Sequence, residues 1–170
     1  KKYHLYDELV EHIFLFSPLH DIGKIGISDS ILLKPSKLTD AEFNTVKSHA
    51  SKGGEIIDMM LGNLGLAEFP HAEILRNIAL YHHEAINGSG YNGMMDEAIP
   101  IEAKIVAVAD VFDALTSSRP YKEAWSNERA FMFLRSMAGT RFDIDCVAAL
   151  INCRSEVDAI QKKFKEDSIG

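Results

Sequence analysis

One carboxylate interrupts an otherwise apolar run in the second half of the chain: Ile105-Val106-Ala107-Val108-Ala109-Asp110-Val111-Phe112. Because apolar residues continue to Leu115 and occupy nearly every face, the run predicts a central buried helix that begins after Pro100. An ionised carboxylate is costly to bury alone, so Asp110 must meet a cation or several hydrogen-bond donors. Asp113, one turn further on, either shares that face or acts as a cap or ion-pair partner, and the structural role is favoured.

Helical signals also dominate the first half of the chain. Apolar residues recur at helical spacing from Leu5 to Phe16, and Pro18 is predicted to end that segment. Thr39-Asp40-Ala41-Glu42 has the form of a capping box, which predicts a helix start. Gly53-Gly54 is predicted to interrupt the helix that follows.

The remaining elements follow from proline, glycine and capping residues. A helix that starts near Pro70 is predicted to continue through His82-His83 and to end near Asn87-Gly88. Ser126 and Asp143 are predicted to cap two last helices. Since alternating strand patterns are almost absent, the sequence predicts one all-α domain, spanning residues 1–170, with about six or seven helices.

Composition limits the classes of partner. The 170 residues carry 25 acidic and 18 basic side chains, a formal net charge of −7. A chain of this charge does not attract DNA, RNA or anionic lipid over a broad surface. No apolar run is long enough to span a bilayer, so no membrane contact and a cytoplasmic location are expected. The oligomeric state is left open.

Histidines and aspartates form the main chemical signal. His20-Asp21 and His82-His83 are adjacent pairs at predicted helix ends, and His49 lies toward the end of a third helix. With Asp110 they make a mixed imidazole and carboxylate set, suited to Fe, Mn, Zn or Ni. Six ligands exceed the need of one catalytic ion, so two ions bridged by Asp21 fit better. Such a pair can clamp a phosphodiester and activate water.

Basic side chains and a glycine-rich loop flank these positions. Some of the cations are interpreted as phosphate contacts, among them Lys24, Lys34, Lys37, Arg119 and Lys122. The loop from Asn87 to Gly93 lets backbone approach a ligand, and Tyr91 is placed to stack on a base or bond a phosphate. The histidines that lack such a setting, His4, His12 and His71, are expected to lie at the surface or partly buried, without binding metal.

The ordered set of motifs resembles the HD-GYP domain, a branch of the HD phosphohydrolase superfamily. The motifs are His20-Asp21-Ile22-Gly23-Lys24-Ile25-Gly26-Ile27, Leu32-Leu33-Lys34-Pro35, His82-His83-Glu84, Gly88-Ser89-Gly90-Tyr91, Val108 to Thr116 and Arg119-Pro120-Tyr121-Lys122. The clear resemblance covers about residues 18–125, and a looser one covers 139–149. It implies an all-helical bacterial phosphodiesterase that hydrolyses cyclic di-GMP to pGpG or GMP, and in some members cyclic GMP-AMP.

The resemblance also assigns roles to residues. It implies two or three divalent ions, iron or manganese, held by His20, Asp21, His49, His82, His83 and Asp110. Asp21 would bridge the ions, and Lys24 would lie near the scissile phosphate, so these two are the catalytic candidates. The implied contacts to the cyclic dinucleotide are Lys24, Gly90, Tyr91, Arg119 and Lys122. The Gly90-Tyr91-Asn92 loop is the implied surface for a GGDEF-domain partner.

Two departures from the family pattern keep other functions open. Asn92 stands where the family has proline, and Ala85-Ile86-Asn87 replaces its usual aromatic and aspartate, which predicts a looser loop. The family's first helix, which supplies a glutamate and a histidine, is expected to be missing because it lies upstream of Lys1. One alternative is therefore a module that binds cyclic dinucleotide or a GGDEF partner without cleavage. The second alternative is another HD-type nucleotide phosphohydrolase.

Overall fold

The all-α prediction is confirmed. The computed structural model describes residues 3, 5–66, 68, 71–118 and 123–167. The described residues form nine α-helices and three short 3₁₀ helices, with only two isolated β-bridges. The α-helices are α1 (Asp7–Phe16), α2 (Asp29–Leu32), α3 (Asp40–Lys47), α4 (His49–Asn63), α5 (Ala72–Tyr81), α6 (Ile101–Thr116), α7 (Asn127–Met137), α8 (Ile144–Asn152) and α9 (Arg154–Asp167).

The predicted caps are present. The Thr39 hydroxyl accepts the Glu42 backbone N–H while the Glu42 carboxylate accepts the Thr39 N–H, so both arms of the capping box form at the start of α3. Ser126 caps α7 by accepting the Arg129 N–H. Asp143 caps α8 by accepting two backbone N–H groups. At each of these three helix starts a side chain close in sequence caps the first turn.

The helix count exceeds the predicted six or seven for two reasons. Asp29–Leu32 forms α2 inside a stretch that looked irregular, because Ser28 accepts the Ser30 backbone N–H and caps it. At the other end of the chain, Cys153 separates α8 from a further helix, α9.

The predicted break at Gly53-Gly54 is wrong, because α4 runs through both glycines. The helix that starts at Thr39 breaks earlier, at Ser48, so His49 begins α4 instead of lying toward the end of the preceding helix. Both glycines lie in close contact with α5. A Cβ on Gly54 would lie 2.7 Å from Leu80 Cδ2, and a Cβ on Gly53 would lie 3.4 Å from the Ala79 Cβ. The glycines therefore let α4 lie directly against α5.

Helix α5 is shorter than predicted. It ends at Tyr81, with His82 as its C-cap, rather than near Asn87-Gly88. The chain turns away here because the following loop folds back onto Glu84: a Cβ on Gly90 would lie 2.5 Å from the Glu84 Cα. Pro70, the predicted start, lies outside the described residues.

Helix α6 is central, as predicted. On one side Val106 packs with residues of α1 and α5, among them Leu9 and Ile78. On another side Val108 and Phe112 pack against α7 and α8. None of the described helices combines the length and the apolar character that crossing a bilayer requires.

Candidate metal centre

A close backbone contact positions the first pair of candidate ligands. After α1, the 3₁₀ helices Ser17–Leu19 and Ile22–Gly26 leave His20 and Asp21 at the bend between them. The second of these helices is pressed onto the start of α4, where a Cβ on Gly23 would lie 1.9 Å from the His49 carbonyl oxygen. Because Gly23 has no side chain, Asp21 can lie close to His49.

Three imidazoles share one arrangement: the Nδ1 atom faces a backbone carbonyl oxygen. The pairs are His20 with Ser17 at 2.8 Å, His49 with Val46 at 2.6 Å and His82 with Ile78 at 2.9 Å. A carbonyl only accepts hydrogen bonds, so Nδ1 must carry the proton in each ring. The lone pair of each neutral ring is therefore on Nε2, where a metal would bind.

The three Nε2 atoms converge on Asp21. His20 Nε2 lies 3.3 Å from Asp21 Oδ2, whereas His49 Nε2 lies 3.3 Å and His82 Nε2 lies 3.8 Å from Asp21 Oδ1. The two oxygens of one carboxylate thus face different imidazoles. This is the geometry that a bridging carboxylate between two ions needs.

Asp110 enters from α6 on the His20 side. Its Oδ1 lies 3.7 Å from His20 Nε2. His20 is therefore the partner that was predicted for Asp110. The Asp110 side chain is one-quarter exposed, so it is not fully buried. The His83 ring centroid lies 4.1 Å from that of His82 and 5.0 Å from that of His49.

One atom of the site has no hydrogen bond. Asp21 Oδ1 is buried and accepts none from any described residue. The Nε2 atoms of His49 and His82 also face each other at 3.4 Å, lone pair toward lone pair if both rings are neutral. A cation in the space between them would satisfy all three atoms. Asp21, His49, His82 and His83 each offer a ligand atom within 4.8 Å of the others, so they form a candidate metal site.

Electrostatics separate the histidines into two kinds. Burial opposes the charge on His20, but its contacts with Asp110 and Asp21 outweigh burial and raise its pKa to about 10. Burial, with repulsion from neighbouring histidines, lowers the pKa of His83 to about 3, and burial also lowers the pKa of His49. Although burial alone would raise it, contacts with His20, His82 and Lys24 hold the pKa of Asp21 far below its usual range.

The predicted phosphate-binding cations have mixed outcomes. Lys24 lies at the site, where its ammonium group donates to Asp21 Oδ2. Lys34 instead donates to both carboxylate oxygens of Glu42, so it supports the start of α3. Arg119 and Lys122 lie outside the described residues.

The glycine-rich loop borders the site through Tyr91. The Tyr91 ring centroid lies 4.5 Å from that of His83 and 6.1 Å from that of His49. Lys47, at the end of α3, places its Nζ atom 5.1 Å from the centroid of the same ring. Gly90 holds the loop against Glu84, because any side chain there would strike the Glu84 backbone.

Glu84 anchors the loop beside the candidate centre, and sequence reasoning missed this role. It is only 5% exposed, and its carboxylate accepts the backbone N–H of Asn92 at 2.7 Å and of Met94 at 2.9 Å. The Asn92 side-chain amide adds a third bond at 3.0 Å. Instead of loosening the loop, the residue that replaces proline ties it to Glu84. The sequence signal was a carboxylate between His83 and a glycine-rich loop with many backbone donors.

This arrangement defines a helical domain with a histidine and aspartate centre of the HD type. The HD domain family matches residues 2–146, and the chain belongs to that family.

The names of similar proteins indicate the branch of the HD family. The chain is 47% identical over 165 residues to the cyclic di-GMP phosphodiesterase response regulator RpfG of Xanthomonas campestris, covering 96% of this chain and 42% of the relative. It is 41% identical over 159 residues to a cyclic di-GMP phosphodiesterase of Thermotoga maritima, covering 93% and 41%. Identity to the 3'3'-cGAMP-specific phosphodiesterase 2 of Vibrio cholerae is 38% over 151 residues, covering 88% and 28%. The chain thus spans less than half the length of these relatives, and they confirm the HD-GYP prediction.

Proposed function

We propose that this domain is a metal-dependent phosphodiesterase that hydrolyses cyclic di-GMP to pGpG or GMP. The observation that carries the proposal is the position of Asp21, whose two oxygens face different imidazoles while one oxygen lacks any hydrogen bond among the described residues. Relatives that cover most of the chain are named cyclic di-GMP phosphodiesterases. Chemistry and relatives therefore point to the same reaction.

The proposed centre holds two divalent ions, iron or manganese. One ion would take Asp21 Oδ1 with His49, His82 and His83, the set whose ligand atoms already lie within 4.8 Å of one another. The other would take Asp21 Oδ2 with His20 and Asp110, the group on the opposite side. Imidazole and carboxylate ligands suit both metals.

When bound, such a pair supplies Lewis-acid polarisation of the phosphate and a nucleophilic water. The chain's own residues orient the reactants. Lys24 sits beside Asp21 Oδ2, with a side chain that is 40% exposed, so its ammonium can turn toward a phosphate oxygen and offset charge as it develops. Tyr91 covers the His83 side of the centre and offers a ring face to a guanine base, while Gly90 lets the loop approach closely. The proposal also includes Arg119 and Lys122 as contacts to the cyclic dinucleotide.

The test compares two aspartates of the same helix. Asp110 and Asp113 lie one turn apart on α6, but Asp113 is exposed and accepts the Ser117 hydroxyl at 3.1 Å, away from the histidines. Protein purified without oxygen is assayed for iron and manganese by elemental analysis, and for cyclic di-GMP hydrolysis by chromatography. We expect Asp110→Asn and Asp21→Ala to lose metal and turnover, and Asp113→Asn to retain both. Turnover by an Asp21→Ala protein stripped of metal would refute the proposal.

A second substrate is favoured by the named relatives, since one of those reported above is specific for 3'3'-cGAMP. Rates on cyclic di-GMP, 3'3'-cGAMP and ordinary nucleotides, measured with the same metal-loaded protein, decide between these substrates and the general nucleotide phosphohydrolase. Tight calorimetric binding of cyclic di-GMP without product would instead select the non-cleaving module.

The proposal includes a cytoplasmic setting, because a nucleotide second messenger is its substrate, and a GGDEF-domain partner at the Gly90-Tyr91-Asn92 loop. The exposed position of Asn92 and the anchoring of this loop by Glu84 support a preformed contact surface. Co-purification with and without an Asn92→Arg substitution tests the partner.

A further inference from the structure

A second group of metal-binding side chains lies away from the candidate centre. Glu8 and His12 occupy successive turns of α1, and His71 immediately precedes α5. One ligand atom from each residue lies within 4.8 Å of the other two. These side chains come from two segments more than fifty residues apart, so the fold itself brings them together.

Hydrogen bonds hold both rings of this cluster against Glu8. His12 Nδ1 donates to the Glu8 backbone oxygen at 2.6 Å, so the proton of a neutral ring sits on Nδ1 and the lone pair on Nε2. His71 Nε2 donates to Glu8 Oε1 at 2.9 Å, so a cation that binds both atoms would take the place of that proton. The two imidazole centroids are 4.3 Å apart. His12 repeats the pattern of the candidate centre, with a backbone carbonyl orienting its ring.

The backbone at His71 is left-handed where α5 begins. Its φ angle is +70°, in a region where histidine, like asparagine and aspartate, is enriched over other residues that carry a side chain. His71 is the N-cap of α5, and its ring contacts both residues of α1 in the cluster. A substitution at this position must therefore tolerate the left-handed backbone.

We propose that Glu8, His12 and His71 form a separate site for a borderline divalent cation of the zinc class. Two imidazoles and one carboxylate are ligands that such ions accept, with water in the fourth position. Metal bonds of 2.0–2.1 Å in tetrahedral geometry place ligand atoms about 3.4 Å apart. The pair at 2.9 Å is already near this value, and rotation of the exposed Glu8 side chain and of the partly buried imidazoles would bring the other atoms, which lie within 4.8 Å, to it.

The site would fasten the two elements that lead to the candidate centre. Along α1 and α5, Leu9 and Ile13 pack with Ile74 and Ile78. Past the C-terminal ends of these helices, the ring centroids of His20 and His82 lie 5.0 Å apart. The ten residues of α5 span about 15 Å. A cation at the opposite end therefore clips α5 to α1 without touching the reacting groups.

The test uses zinc itself, the intact chain and an Asp21→Ala/His82→Ala background that removes two of the four clustered ligands of the candidate centre. Zinc is titrated by calorimetry into that protein and into versions with His12→Gln or His71→Asn, since asparagine tolerates the left-handed backbone. We expect one zinc equivalent, weakened at least about tenfold by either substitution. Glu11→Gln, an exposed charge of α1 outside the cluster, is the matched control and should leave binding unchanged.

Nitrogen-15 NMR of the imidazoles gives a second readout that does not depend on any variant folding. In the Asp21-containing protein, zinc should shift the Nε2 resonances of both His12 and His71. Unchanged resonances for both rings, or equal zinc affinity with and without His71→Asn, would overturn the proposal. Because neither readout uses catalysis, the outcome is separate from that of the phosphodiesterase proposal.

Discussion

Substitution of Gly23 by alanine should disrupt the candidate centre through the backbone. The new Cβ would lie 1.9 Å from the His49 carbonyl oxygen and 2.5 Å from the Gly53 nitrogen. Both atoms belong to the backbone of α4, so no rotamer change relieves the overlap. To reach a tolerable contact of about 3.2 Å, the 3₁₀ helix Ile22–Gly26 must retreat from α4 by about 1.3 Å.

The magnitude follows from this displacement. Inserting a methyl group into a packed contact costs about 1–3 kcal/mol, and a clash with backbone belongs at the upper end. For a domain of this size about 3 kcal/mol corresponds to a fall in Tm of roughly 6–12 °C. Since Asp21 precedes the displaced segment, its distance to His49 grows, and a misplacement of about 1 Å can lower turnover about 100-fold.

Gly26→Ala is the matched control in the same 3₁₀ helix. Its Cβ would meet only the flexible Lys52 side chain, nearest at 3.2 Å, and neither Gly23 nor Gly26 has a positive φ. Thermal denaturation, elemental analysis and cyclic di-GMP hydrolysis are measured on both variants. Gly26→Ala should stay within about 0.5 kcal/mol of the parent. Equal stability and metal content in the two variants would show that the Gly23 contact does not position Asp21.

Three further outcomes are expected. Asn92→Pro should lower the free energy of unfolding by about 1–3 kcal/mol, because proline removes the backbone donor to buried Glu84. Asn92→Ala keeps that donor and should cost less. Equal urea midpoints for the two variants would contradict this prediction. Since the pKa of His20 is raised to about 10, this ring is protonated at pH 8 in metal-free protein and must release about one proton when it binds metal. Calorimetry in buffers of different ionisation enthalpy measures that release, and affinity should rise with pH up to about 10; pH-independent affinity would argue against ligation by His20. Leu134→Ala, at a fully buried position of α7, should cost about 2–5 kcal/mol by chemical denaturation while metal content per folded protein stays unchanged.

Elements with local signals were predictable from the sequence. The capping box at Thr39 and the caps at Ser126 and Asp143 depend on side chains within three residues of the helix start, so the sequence contains the signal for them. The centrality of α6 was equally readable, because its residues are apolar on nearly every face.

Features that depend on a distant partner were not predictable. Gly53-Gly54 looks like a helix break, and only the presence of Leu80 across the contact reveals that the pair is needed for packing. The end of α5 at Tyr81 and the burial of Glu84 likewise depend on a loop that folds back over them. The convergence of the histidines and the bridging position of Asp21 could be predicted, but which histidine faces which oxygen of Asp21 could not.

Helix ends explain why the histidines of this fold present the same nitrogen. Each of the three imidazoles follows the C-terminal end of a helical segment and donates Nδ1–H to a carbonyl group of its last turn: His20 to Ser17, His49 to Val46 and His82 to Ile78. Each of these carbonyl groups also accepts a backbone N–H, so the imidazole is a second donor to the same oxygen. This second bond fixes the ring and directs Nε2 toward Asp21. A histidine three or four residues after such a carbonyl is thus prepared for metal by the fold, before any metal binds.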